Sequence, residues 1–172
     1  MTRLVLDVPD YPLPGVMFKD ITPLLADPSG LASVVVALAE HGRGPDGTVV
    51  IDKVVGMEAR GFILGAPVAL ALGAGFVPVR KAGKLPRATH AVSYSLEYGE
   101  ATLEVHQDAV APGERVLLID DVLATGGTIA ATRRLIEACE GTCIGVAVLM
   151  ELTALGGRAA LGDLPIHAVM TV

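Results

Sequence analysis

The stretch "VLLIDDVLATGGTIAATRRL", residues 116–135, decides how this chain folds. It opens on an unbroken Val-Leu-Leu-Ile run, the pattern of a strand buried on both faces of a parallel sheet. Two glycines, Gly126 and Gly127, break the run, and a helix follows that ends near Gly141. Parallel-sheet proteins bind ligands beyond the carboxyl ends of their strands, which is where Asp120 and Asp121 fall. The glycines let the backbone turn tightly and approach a ligand without a Cβ clash. The helix beyond them offers unpaired N–H groups and a partial positive charge, which suits a phosphate monoester. Thr125 and Thr128 add hydroxyl donors. Carboxylates so close to a phosphate repel it unless they face sugar hydroxyls or Mg²⁺, so the stretch points to a sugar phosphate with a metal. No lysine follows the glycines as a P-loop requires, and there is no G-x-G-x-x-G.

Outward from this corner the chain keeps alternating. A helix is expected over 29–41 with Ser29 near its cap, a strand over 48–55, a helix over 59–73 and a strand over 75–80. Beyond the central corner, "CIGVAVLMEL" and "IHAVMTV" read as two more strands. Strands separated by helices imply an α/β fold, a central and mostly parallel sheet flanked by helices. Two segments interrupt the rhythm. The first thirty residues carry five prolines among apolar anchors and read as a turn-rich arm. Residues 81–102 lack a patterned core and read as a long lid or binding loop, with room for a hairpin.

The 172 residues fit a single domain. Its composition is 52% hydrophobic with only 3% aromatic residues, so the core is built from Ala, Val, Leu and Ile. A formal net charge of −6 argues against a broad nucleic-acid surface. No apolar run reaches the roughly 18 residues of a membrane span, and the N-terminus lacks a signal peptide, so a cytoplasmic location is expected. Cys139 and Cys143 fit neither a zinc pattern nor a secreted framework and read as free thiols. His41, His90, His106 and His167 show no metal-ligand spacing.

With these residues in view, "VLLIDDVLATGGT" resembles the phosphoribosyl-diphosphate (PRPP) signature of the type I phosphoribosyltransferases. Four further blocks are similar, in order, to the adenine phosphoribosyltransferase pattern: "YPLPGVMFKDITPLL" (11–25), "GMEARGF" (56–62), "VPVRKAGKLP" (77–86) and "SLEYG" (95–99). The resemblance implies the type I fold with a small N-terminal hood over about residues 1–30, a flexible lid over 81–102 and a homodimer. It implies transfer of the phosphoribosyl group from PRPP to adenine, giving AMP and pyrophosphate, with Mg²⁺ held mainly through PRPP.

The resemblance also assigns roles. Ala124, Thr125, Gly126, Gly127 and Thr128 would cradle the 5′-phosphate, and Asp120 and Asp121 would face the ribose hydroxyls, directly or through metal and water. Glu58, Ala59 and Arg60 correspond to the pyrophosphate loop. Arg80, Lys81 and Lys84 would close over the same leaving group, while Arg87 reads as a surface residue. Glu97 is the candidate for handling the purine proton, with Tyr98 packed near the reaction centre. Phe18 would stack on the purine, and the backbone around Met17 and Lys19 would read its amino and ring nitrogens. Many relatives carry Arg at the position of Lys19, which matters only if the side chain does the reading. Two alternatives keep the PRPP site: another purine (hypoxanthine, guanine or xanthine), or a non-catalytic PRPP-sensing regulator. The hood material is N-terminal, which favours adenine, and the short acidic chain carries no basic DNA-binding segment.

Overall fold

The computed structural model describes residues 2–95 and 100–172. Elements run in the order β1 (Leu6–Val8), β2 (Phe18–Asp20), α1 (Thr22–Ala26), α2 (Pro28–Ala39), β3 (Lys53–Met57), α3 (Arg60–Leu72) and β4 (Gly75–Lys81). They continue with β5 (Thr89–Ser95), β6 (Glu100–His106), β7 (Arg115–Leu123), α4 (Gly127–Ala138), β8 (Thr142–Glu151) and β9 (Ile166–Thr171). Seven strands form one sheet in the order β5-β6-β4-β3-β7-β8-β9. The run β4-β3-β7-β8-β9 is parallel throughout, and β5 and β6 add antiparallel strands at one edge. The architecture is the expected α/β fold with a mostly parallel sheet.

The central corner explains the layering. Val116 and Leu118 of β7 point into a core with Ile129, Leu135 and Ile136 of α4. Leu117 and Ile119 point the other way, into a core with Val34, Leu38, Leu64 and Val68 of α2 and α3. Both faces of β7 are therefore covered, which is why its apolar run does not alternate with polar residues. Helix α3 leads from β3 outward to β4, whereas α4 leads from β7 outward to β8, on the opposite face. The order of connections thus reverses between β3 and β7. In such sheets the crevice at the carboxyl ends of the two diverging strands is the place for a ligand.

Helix α2 starts one residue earlier than expected and is capped by Asp27, whose carboxylate accepts from the Gly30 amide at 2.6 Å. Pro28 occupies the first helical position, where its missing N–H costs nothing. Strand β3 begins at Lys53 rather than Thr48. The "TVVI" segment turns back on the chain after α2 instead, with Val49 bridged to Arg43 and the Val50 amide donating to the Gly42 carbonyl. The arm expected at 1–30 folds as the small β1–β2 ribbon followed by α1. Segment 81–102 is more regular than a loop. Lys81 ends β4, residues 82–88 form a turn-rich connection, and β5 pairs with β6 from Thr89↔His106 to Ser95↔Glu100. Strand β5 alternates half-buried and exposed residues, which is why its apolar content looked too sparse for a strand. Among the described residues, no helix is long and apolar enough to cross a membrane.

Candidate active site

At the carboxyl edge of β7, two cavities lie side by side. One, of about 110 Å³, is lined by Asp120 and the loop from Val122 through Ala124, Thr125, Gly126 and Gly127 to Thr128 and Ile129. The other, of about 160 Å³, lies among Met17, Phe18, Lys19, Arg60, Asp121, Val122, Met150 and Leu152. Val122 is common to both, and the two adjacent carboxylates divide between them.

The first cavity is a backbone cradle. Gly126 precedes α4 with φ +87°, in the left-handed region that favours glycine. That turn aims the first amides of α4 into the cavity, where the helix leaves them without intrahelical acceptors. Tyr94, on β5, lies against this turn. Its hydroxyl is 3.1 Å from that of Thr128, so the antiparallel ribbon reaches the loop directly. Nothing in the sequence pattern singled out Tyr94, because it sits in an ordinary strand alternation.

Asp120 and Asp121 are both buried. The Asp121 amide donates to Asp120 Oδ1 at 2.9 Å, and Asp121 Oδ2 pairs with Arg60 Nε at 2.8 Å. Burial, and then the neighbouring Asp121 charge, push the Asp120 carboxyl well above the usual carboxylate range. Arg60 pairs with Asp121 rather than Asp120, and its charge only partly offsets this rise; hydroxyls or a metal ion would suit the Asp120 carboxylate. Among the described residues no group of three or more His, Cys, Asp or Glu could hold a metal alone. Two adjacent acids beside a backbone cradle have the hard oxygen donors that Mg²⁺ takes when water and other oxygen ligands complete its shell.

Arg60 also stands 5.0 Å over the Phe18 ring, which packs edge-on against Tyr11 at 5.0 Å. The arginine thus connects the carboxylates with the second cavity. Lys19 contributes to that cavity, but its ammonium is tied to Asp7 at 2.7 Å. The side chain is therefore turned toward its own ribbon.

After β3, Glu58 gathers the cationic residues at the end of β4 and just beyond it. Lys84 Nζ bonds Glu58 Oε1, the Lys81 amide donates to Oε2 at 2.9 Å, and Arg80 Nε is 3.4 Å from Oε2. Burial pushes Glu58 up, but the bonds from Lys84 and Lys81 and the charges of Lys84 and Arg80 outweigh it, and its carboxyl lies below the ordinary range. Ala59 precedes the first turn of α3, next to this cluster. Arg87 pairs with Asp108 at 2.5 Å on the surface, away from the cluster. Glu97 and Tyr98 lie outside the described residues. The sequence reading also passed over Val16, Val122, Met150 and Leu152, whose apolar side chains looked like ordinary core.

The comparison with known proteins is decisive. Residues 33–160 match the phosphoribosyl transferase domain family. The chain is 68% identical to the adenine phosphoribosyltransferase of a Nocardioides species over 169 residues, 98% of this chain and 91% of the relative. The chain belongs to the adenine phosphoribosyltransferases. Similarity to the Thermobifida fusca adenine phosphoribosyltransferase is 59% identity over 170 residues, 99% of this chain and 94% of that one. In three dimensions the crystal structure of the Rhodothermus marinus adenine phosphoribosyltransferase superimposes with a TM-score of 0.92 at 52% identity, covering 99% and 96% of the two chains. The Saccharomyces cerevisiae adenine phosphoribosyltransferase, crystallised with an imino-altritol bisphosphate and adenine, gives 0.92 at 38% identity, covering 98% and 95%. This adenine phosphoribosyltransferase therefore has the type I fold that its five sequence blocks implied.

Proposed function

We propose that the two cavities hold the two substrates of one transfer: PRPP against the β7–α4 loop and adenine under the N-terminal ribbon. The chain transfers the 5-phosphoribosyl group from PRPP to adenine, forming AMP and pyrophosphate. The observation that carries the site assignment is the adjacency of a backbone anion cradle and an apolar pocket, with one carboxylate facing each. A sugar whose 5′-phosphate sits in the first would present its anomeric carbon toward the second.

In this reading Ala124, Thr125, Gly126, Gly127 and Thr128 hold the 5′-phosphate, with the amino end of α4 supplying favourable charge. Asp120 and Asp121 orient the ribose through its hydroxyls. Bound with PRPP, Mg²⁺ neutralises part of the diphosphate charge near these acids. Glu58 holds Lys84 and Arg80 at the mouth of the site, and with Ala59, Arg60 and Lys81 they receive the pyrophosphate as the C–O bond breaks. Met17 and the backbone of Lys19 read the base edge, and Phe18 offers a face for stacking. As adenine N9 attacks the oxocarbenium-like carbon, a base must take its proton. Glu97 is placed in that role by the resemblance, an effect worth about 10² to 10⁴ in rate, with Tyr98 packed beside it. No covalent intermediate on the protein is required.

We also read the active form as a homodimer. Ile63 and Leu70 lie seven residues apart on α3, and both are exposed, Leu70 to 83%. An apolar stripe of this kind is unusual on a free surface, and light scattering should return twice the chain mass of 17.7 kDa.

The reaction is tested with purified protein, Mg²⁺ and PRPP, offering adenine, hypoxanthine, guanine and xanthine separately while nucleotide and pyrophosphate are measured. Equimolar AMP and pyrophosphate with adenine is expected. Faster turnover of an oxopurine, or none with any base, overturns the reading.

A further inference from the structure

The turn over Gly157–Leu161, after β8, lines neither cavity, yet it touches the phosphate cradle from behind. Glu151, the last residue of β8, pairs in register with Leu123, so its carboxylate stands one residue from Ala124. Its side chain is only 7% exposed. Arg158 grips it with a planar fork: Nε donates to Oε1 at 2.8 Å and to Oε2 at 3.0 Å, and Nη2 donates to Oε2 at 2.8 Å. Nη1 donates to the Ile166 carbonyl at 3.0 Å, which fixes the same arginine to the start of β9.

This clamp holds a short 3-10 turn over Gly157–Leu161 against the loop. The contact is backbone on backbone. A Cβ on Gly157 would stand 2.3 Å from the Ala124 carbonyl oxygen and 2.7 Å from Leu123 Cδ1. In the other direction, a Cβ on Gly126 would stand 2.7 Å from the Gly157 carbonyl oxygen and 3.2 Å from the Ala160 Cβ. Gly157 does not have a positive φ, so what excludes a side chain there is proximity to the loop and not backbone conformation.

We infer that Gly157 and Arg158 are positioning residues for PRPP: Gly157 supports the 5′-phosphate loop from behind, and Arg158 cancels the buried Glu151 charge beside it. This rests on residues 124–128 being the phosphate cradle. A loop that binds an anion through backbone amides and the Thr125 and Thr128 hydroxyls depends on their placement to a few tenths of an ångström. It also depends on having no uncompensated negative charge nearby in a low-dielectric setting. Both conditions are met here by residues that do not line the substrate cavity.

Steady-state kinetics on four variants test this. Arg158→Gln leaves the Glu151 carboxylate unpaired and should raise KM for PRPP about tenfold, while kcat and KM for adenine stay within about twofold. Adding Glu151→Gln removes the stranded charge and should recover most of the loss; confinement of both loss and rescue to KM for PRPP is what a merely structural role would not produce. Gly157→Ala leaves the ion pair intact and should give the same PRPP-selective rise by moving the Ala124 carbonyl. Should Arg158→Gln fail to fold, Gly157→Ala and Arg158→Lys, which keeps the charge and loses the fork, must still show the split. PRPP KM within twofold of the parent in the folded variants, or equal losses for both substrates, overturns the inference. Thr125→Val serves as the control on the cradle itself. If it leaves PRPP binding unchanged, the cradle reading fails; if it weakens PRPP while the Arg158 and Gly157 variants do not, only the support from behind fails.

Discussion

Asp120 shows how function and stability pull apart at a single residue. Burial and the adjacent Asp121 both raise its pKa, so the folded protein binds a proton there more tightly than the unfolded chain does. Such a group stabilises the fold only below the ordinary carboxylate range, and that contribution is lost as pH rises through the higher folded value. At neutral pH a charged Asp120 is therefore a cost to the fold. Asp120→Asn keeps the oxygen that accepts the Asp121 amide and removes the charge. It should raise Tm by a few degrees at pH 7.5, with the advantage shrinking toward pH 5, while KM for PRPP rises by about tenfold or more. Thermal melts across that pH range, paired with PRPP titrations, check it. A variant that melts no higher at pH 7.5, or gains equally at pH 5, would contradict the charge argument. Arg60 carries a related lesson. The resemblance placed it with pyrophosphate, but its nearest partners here are Asp121 and the Phe18 ring, and all three line the second cavity.

Among the elements, α2 owes its start to one carboxylate. Asp27→Ala removes the bond to the Gly30 amide and should cost about 1 kcal/mol, or about 2–4 °C in Tm for a chain of this size. Both KM values should stay unchanged, because α2 lines neither cavity. Calorimetry with parallel kinetics distinguishes this from a site effect. The same helix shows how far the sequence could be read. Its existence followed from its apolar run, but the cap was expected near Ser29, whereas Asp27 holds it. The two are separated only by Pro28, which belongs at the first helical position and so places the cap at 27. Strand β3 was misplaced for another reason. "TVVIDKVV" is apolar on both sides of Asp52 and Lys53, and only the pairing of Val49 and Val50 with the chain after α2 assigns its first half elsewhere. The β7–α4 corner was legible because strand, acids, glycines and helix all signal locally. The 3-10 turn behind it was not, since its importance lies in an approach across about thirty residues. A lone Glu ending the apolar run of β8 was the one hint that a buried cation partner had to exist.

At the scale of the whole molecule, alternation gave the parallel sheet, but nothing local revealed how its far edge is closed. There the chain after α2 meets β9, and His41 stacks on His167 with centroids 3.7 Å apart and planes at 11°. Read separately, these were two histidines with no metal-ligand spacing; they stand 126 positions apart in the chain, so only the fold brings them together. Burial, and then the charge on His167, lower the pKa of His41, against a smaller opposing pull from Glu40. The unfolded chain consequently binds more protons than the folded one between the lowered value and the ordinary 6.5. Stability from this contact is complete above that ordinary value and is lost as pH falls through the window. His41→Phe retains a flat ring over His167 and cannot take up the proton. Its Tm should match the parent at pH 7.5 and exceed it at pH 5.5, with the kinetics of both substrates unchanged because neither ring lines a cavity. Equal slopes of Tm against pH for the two proteins would show that the acid sensitivity of the fold arises elsewhere, whereas a flatter slope for His41→Phe places part of it at this edge.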